Sequence, residues 1–176
     1  TVQNCTTPAT PGVISGNATV CSGSSNTYNI TAVSGATSYT WTLPGGWSGT
    51  STTTSIAATA GLNSGNITVT ANNACGSSAA QTKSITVNTV PVPPGTISGN
   101  TAVCVASSNT YSITAVPGAT SYTWTLPPGW SGSSSSTSII TTASSSSGNI
   151  TVTANNTCGS SAAQTKTVTV NVIPAT

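Results

Sequence analysis

Arg, Asp, Glu, His, Met and Phe are all missing from the 176 residues, and two Lys carry the whole formal charge of +2. Without carboxylates or imidazole, neither a general acid/base pair nor a His-based triad can be assembled. Calcium and magnesium sites want carboxylates, and zinc sites mix Cys with His or gather four Cys. The chain is therefore expected to be no enzyme and to hold no metal or cofactor. Two Lys cannot neutralise a phosphate track, which excludes nucleic acid as a partner. No run of 18 apolar residues occurs, so no membrane-spanning segment is expected. Nor does a signal peptide appear; the chain reads as a mature segment.

What the chain has instead is hydroxyl. Ser and Thr make up 67 of the 176 residues, and they must keep wet a surface that charge does not. An ordinary domain is about 25% charged, against 1% here. Disordered chains combine low hydrophobicity with high net charge, whereas this one is nearly neutral and carries Val, Ile, Tyr and Trp in alternating runs. With so little repulsion between copies, self-association is weakly opposed.

The organising stretch is SYTWTLPGGWSG, Ser38 to Gly49, which returns as SYTWTLPPGWSG from Ser121 to Gly132, 83 positions later. Tyr39, Trp41 and Leu43 alternate with Thr40 and Thr42, the period of a half-buried strand. The spacing predicts Tyr39, Trp41 and Leu43, with Tyr122, Trp124 and Leu126, as core. A Pro-Gly turn then re-aims the chain and presents a second Trp. At an offset of 83, 60 of 83 positions are identical. That period is too long for a solenoid unit and suits a small β domain.

Four parts follow: residues 1–10, a linker or strand-donating arm; 11–90, the first sandwich; 91–93, a stiff proline-rich junction; and 94–176, the second sandwich. Thr1-Val2 looks like the tail of an earlier last strand, which suggests an excerpt from a longer array. In the first repeat, strands are expected near Gly12–Ser15, Asn26–Val33, Ser38–Leu43, Ser55–Thr59, Asn66–Asn72 and Gln81–Asn88. The inward rows are Tyr28, Ile30 and Ala32; Ile67, Val69 and Ala71; Ile85 and Val87. Short strands with turns at this spacing argue an all-β, two-sheet sandwich with Greek-key-like connections. Lys83 and Lys166 hold matching places, suited to guarding an edge strand.

Cys21 and Cys75 lie 54 apart, as do Cys104 and Cys158. A disulfide in each repeat is expected, since small domains with thin cores need staples and such bridges imply an oxidising compartment. The alternative is a pair of free buried thiols. Cys5 has no counterpart; it is read as bonding another chain or an absent upstream repeat, or as an unpaired linker thiol. Asn-x-Ser/Thr triplets at Asn4, Asn17, Asn29, Asn66, Asn149 and Asn155 are what so Thr-rich a chain produces by chance.

Together VCSGSSNTYNI, GATSYTWTLPGGWSG and GNITVTANNACGSS resemble the PKD-like, immunoglobulin-like repeats of secreted and surface proteins in Bacteroidetes-type bacteria. The resemblance spans both repeats. It implies tandem β-sandwiches serving as spacer, stalk, adhesin segment or accessory module beside an enzyme. The segment Trp41 to Trp47 stands where PKD domains carry a Trp-Asp-Phe-Gly-Asp-Gly motif, with both acidic positions lost.

Trp47 and Trp130, each inside Gly-Trp-Ser-Gly, either fold back over the sandwich end or offer a stacking platform for a sugar ring. The expected function is a non-catalytic, extracellular structural or adhesive module of a bacterial surface or secreted protein. Its partners would be copies of itself, neighbouring repeats or surface glycans. The alternative is a carbohydrate-binding accessory module of a secreted enzyme.

Overall fold

The computed structural model describes residues 5–171; the Thr1-Val2 strand tail and the Asn4 triplet lie outside them. The chain divides into two compact units, Thr1–Thr89 and Val90–Thr176. Among the described residues all regular structure is β, and no helix is long and apolar enough to cross a membrane.

Unit 1 contains β1 (Thr19–Cys21), β2 (Ser25–Asn29), β3 (Ser38–Thr42), β4 (Ser55–Thr59), β5 (Gly65–Asn73), β6 (Gly76–Ser77) and β7 (Gln81–Asn88). One sheet runs β1-β7-β5-β3, with β6 pairing β5 at the hairpin tip, and β2 pairs β4 in a second sheet. Unit 2 repeats this with β8 (Ala102–Cys104), β9 (Ser108–Ser112), β10 (Ser121–Thr125), β11 (Ser138–Thr142), β12 (Gly148–Asn156), β13 (Gly159–Ser160) and β14 (Gln164–Asn171). Pairing is antiparallel except that β1 lies parallel to β7 and β8 parallel to β14.

The cores follow the period-two pattern. Tyr28, Ile56, Ile67, Val69, Ala71 and Ile85 fill the first, and Tyr111, Ile139, Ile150, Val152, Ala154 and Val168 the second. Burying this apolar area against water is the main favourable term holding each sandwich together. Ala32 departs from its expected row and is exposed, because β2 ends at Asn29 and the alternation ends with it. Gly12–Ser15 forms no strand; it contributes one bridge, Ser15 to Asn29.

A strap closes the side of each sandwich, over residues 48–54 between β3 and β4 in unit 1 and over residues 131–137 between β10 and β11 in unit 2. Ser48 and Thr59 exchange both backbone hydrogen bonds, Tyr39 N–H donates to Thr52 O, and Ile30 N–H donates to Thr54 O. Inside the strap, Ser51 Oγ donates to Ser55 O and receives Thr53 N–H. Hydroxyls here satisfy backbone groups that a longer strand would have paired. The Ser/Thr richness of this stretch therefore serves to seal a sheet edge.

Lys83 and Lys166 sit on strands interior to the sheet order rather than on an outer one. Yet β1 pairs only with Thr86–Asn88 of β7, and Lys83 lies upstream of that contact, on the same face as buried Ile85. An inward-leaning charge on a locally open stretch still discourages strand addition.

Candidate functional site

All four tryptophans pack against their cores, Trp130 buried and Trp41, Trp47 and Trp124 half-buried. Trp41 and Trp124 are half-buried against the cores, as are Leu43 and Leu126, while Tyr39 and Tyr122 are buried. The reason is topological: β3 and β10 are outermost in their sheets, and the facing sheet is only two strands wide. Each indole bridges instead to the strap, Trp41 Nε1 donating to Thr53 O at 2.9 Å and Trp124 Nε1 to Ser136 O at 3.0 Å.

Trp130 is 8% exposed and belongs to the core of unit 2, and Trp47 packs half-buried against the core of unit 1. Each is delivered by a tight turn. Trp47 N–H donates to Pro44 O and Trp130 N–H to Pro127 O, with Gly46 and Gly129 at φ 85° and 80° supplying the left-handed position. The ring of Trp47 leans on Tyr28 and that of Trp130 on Tyr111, centroids 6.5 Å apart and tilted in each case. The indole N–H donates to Asn63 O at 3.0 Å in unit 1 and to Ser146 O at 2.8 Å in unit 2. Trp130 is thus no open platform for a sugar ring; its face and its donor are both spent on packing.

The cysteines also pair otherwise than their spacing suggests. Cys75 is bonded to Cys5, 70 residues away in sequence and 5.5 Å between Cα atoms. Cys5 is therefore a staple within its own unit, neither an intermolecular nor a linker thiol. Cys104 is free and exposed, which removes a Cys104–Cys158 bridge as well.

Geometry gives the reason. Cys21 stands opposite Asn88 at the C-terminal end of β7, whereas Cys75 occupies the hairpin before its first residue, Gln81. Seven residues of strand, roughly 23 Å, separate those two ends, and a disulfide tolerates about 7 Å between Cα atoms. Cys104, opposite Asn171, is placed in the same way relative to the β12–β14 hairpin. Equal spacing in the two repeats shows that the positions correspond, not that the two members bond each other.

Around the Cys5–Cys75 staple the incoming segment is fixed to the hairpin. Asn73 Nδ2 donates to Thr6 O at 2.9 Å and to Gly35 O at 3.2 Å, while Asn73 Oδ1 accepts from Cys75 N–H at 2.8 Å. One Asn thereby ties three pieces of chain at one end of the sandwich. Its place in the sequence gave no signal, because NN before the hairpin reads simply as turn residues.

Tyr39 Oη accepts Val33 N–H at 2.8 Å, and Tyr122 Oη accepts Val116 N–H at 2.7 Å, pinning the β2–β3 and β9–β10 connections. Tyr28 and Tyr111 differ. Both are fully buried, neither hydroxyl has a partner, and burial raises both above the ordinary tyrosine pKa. Nothing in these groupings aligns a nucleophile with a base.

Two segments, residues 7–87 and 90–170, match the PKD-like domain family. No curated protein matches the chain. Among solved structures it is similar to domains A168–A170 of titin, at 19% identity and a TM-score of 0.53, covering 87% of this chain and 61% of that one. It is also similar to a C-terminal fragment of intimin, solved with the intimin-binding domain of its receptor, at 16% identity and 0.53, covering 92% and 65%. Extracellular domains 3–5 of Drosophila OTK give 15% identity and 0.50, covering 94% and 60%. At such identities the likeness concerns the immunoglobulin-like fold, and the chain spans less than two thirds of each of the three.

Proposed function

Since the chain belongs to the PKD-like domain family, with one domain in each half, we propose that it is a structural and adhesive repeat module of an extracellular, bacterial surface or secreted protein. It acts as a stalk or adhesin segment, or as a filament subunit, and carries out no catalysis. The observation that carries the reading is the Cys5–Cys75 staple, which clamps the incoming chain onto the hairpin leading directly into β7. A pull on that segment passes through the bridge to the hairpin and bypasses the residues between. A staple at the point where tension enters suits a load-bearing bead, and its persistence requires an oxidising compartment.

A surface of hydroxyls and almost no charge supports close approach to copies of itself or to neighbouring repeats. The glycan-binding alternative has less support with Trp130 inside and Trp47 half-buried against Tyr28, its indole N–H given to Asn63 O, so a glycan array probed with the chain is expected to stay blank.

The test is force spectroscopy of the chain held by its two ends. A fully unravelled 83-residue repeat releases about 280 Å. In oxidising buffer the released length should fall well short of two such steps, and a reductant should restore it. Extension at negligible force, or identical lengths with and without reductant, would overturn the load-bearing role.

A further inference from the structure

Cys104 ends β8 with a free, exposed thiol. At the same place in unit 1, the end of β1, Cys21 is disulfide-bonded. The position is thus one that the fold oxidises.

Facts internal to each unit locate what reaches it. The Cys5–Cys75 bond sets a hairpin cysteine against the segment that runs into its own unit. Stepping from Cys5 by the repeat length gives Asn88 (5 + 83 = 88) and then Asn171 (88 + 83 = 171). The segment ahead of a unit keeps this placement. A Cβ on Gly76 would lie 3.2 Å from Thr7, and one on Gly159 would lie 3.3 Å from Val90, which is Thr7 advanced by 83.

Asn171, in turn, is the register partner of Cys104 in the parallel pair β14–β8, so their Cα atoms stand roughly 4.8 Å apart. A hairpin cysteine that meets position 171 as Cys75 meets Cys5, at 5.5 Å, also comes within disulfide reach of Cys104, since bridged Cα atoms lie about 4.4–6.8 Å apart.

We propose that Cys104 is a docking cysteine, which forms a disulfide with the hairpin cysteine of a further PKD-like unit, in the context Asn-Asn-x-Cys-Gly-Ser-Ser. The unit follows on the same polypeptide or belongs to another. The oxidant is a low-molecular-weight disulfide such as oxidised glutathione. Cys104 thiolate attacks one of its sulfurs and expels a small thiolate. The hairpin thiolate then attacks Cys104 Sγ in the mixed disulfide and expels the second. Two protein thiols lose two protons and two electrons, and one small disulfide becomes two thiols. The proposal rests on reading the chain as one of a series of structural repeats, but its test reads bond formation and not load.

In the first arm, a copy of residues 94–176 is added directly after Thr176, which keeps the 83-residue spacing, and the chain is oxidised with glutathione disulfide. Alkylation and peptide mapping should find Cys104 protected and bonded to the added hairpin cysteine, with the free thiol moved to the added counterpart of Cys104. In the second arm, the parent chain is mixed with a C5S/C104S chain, whose Cys75 is released; circular dichroism checks that the variant is folded. Cys104–Cys75 cross-links should exceed Cys104–Cys104 cross-links at least tenfold. A bond in the first arm alone assigns the partner to the same polypeptide, and bonds in both admit either source. Cys104 remaining alkylatable in the first arm, with no excess of mixed cross-links in the second, overturns the proposal. It would leave the force measurement untouched.

Discussion

At the scale of single residues, two tyrosines in each unit illustrate how one side chain type does opposite things. Tyr39 Oη satisfies Val33 N–H, so Tyr39→Phe leaves a part-buried donor unpaired and should destabilise unit 1 by about 1–3 kcal/mol. Tyr28 has no such partner, and an unpaired buried hydroxyl carries its desolvation penalty uncompensated. Tyr28→Phe should therefore stabilise unit 1 by about 1 kcal/mol, or 4–8 °C in Tm for a domain this size. Thermal unfolding of the two variants beside the parent checks both signs. Burial also fixes the alkaline limit. Tyr28 and Tyr111 titrate above their ordinary value when folded, so the unfolded chain ionises first. Their share of stability is intact below about pH 10 and declines as the pH rises beyond it. Urea unfolding at about pH 8 and pH 11 should show a smaller alkaline loss in a Y28F/Y111F chain; an equal loss would place its origin elsewhere. Alternation in the sequence put Tyr28 on the inward face, but a period of two names a face and not the acceptors waiting there.

At the scale of elements, the strands that read most clearly were those flanked by turn residues. Ser55–Thr59 and Gln81–Asn88 fall where the pattern places them. By contrast β1 has no local signature, because three residues are too few to display alternation and its stability comes from a partner 67 positions away (Thr19 to Thr86, 86 − 19 = 67). That Trp41 is half-buried rather than fully buried has a related cause: sheet order decides which strand is outermost, and strand order is not written in local periodicity. Turns were more legible, since their glycines have a local cause. Gly23 holds φ +78° just after β1, and in unit 2 Ala106 is forced into the same region at φ 62°. A left-handed Ala costs about 1–2 kcal/mol relative to Gly, and no neighbour lies within 4 Å of a Cβ at Gly23, so backbone strain is the whole difference. Ala106→Gly should stabilise unit 2 and Gly23→Ala should destabilise unit 1, each by about 1 kcal/mol. Chemical denaturation of both variants measures this, and two shifts of the same sign would contradict it.

For the whole molecule, the all-β class and the two-unit division could be read from composition and the 83-residue period, because both are properties of long stretches. Cysteine connectivity could not. It depends on which end of a sheet each residue occupies, and Cys21 and Cys75 share a spacing while lying at opposite ends of β7. The consequence is a loop from Cys5 to Cys75 that encloses β1 to β5 and leaves β7 outside it. Closing a loop of 70 residues removes chain entropy from the unfolded state worth about 4 kcal/mol at room temperature, against about 5–15 kcal/mol for a typical domain. With so few charges, ion pairs contribute almost nothing to offset its loss. A C5S/C75S chain should therefore show unit 1 unfolding roughly 20 °C lower in calorimetry. Because the enclosed loop lies entirely within unit 1, the transition of unit 2 should retain its temperature. A small shift in unit 1 would mean that Asn73 and its contacts to Thr6 and Gly35 hold the incoming segment without the sulfur bridge, and that the staple matters under load rather than at rest.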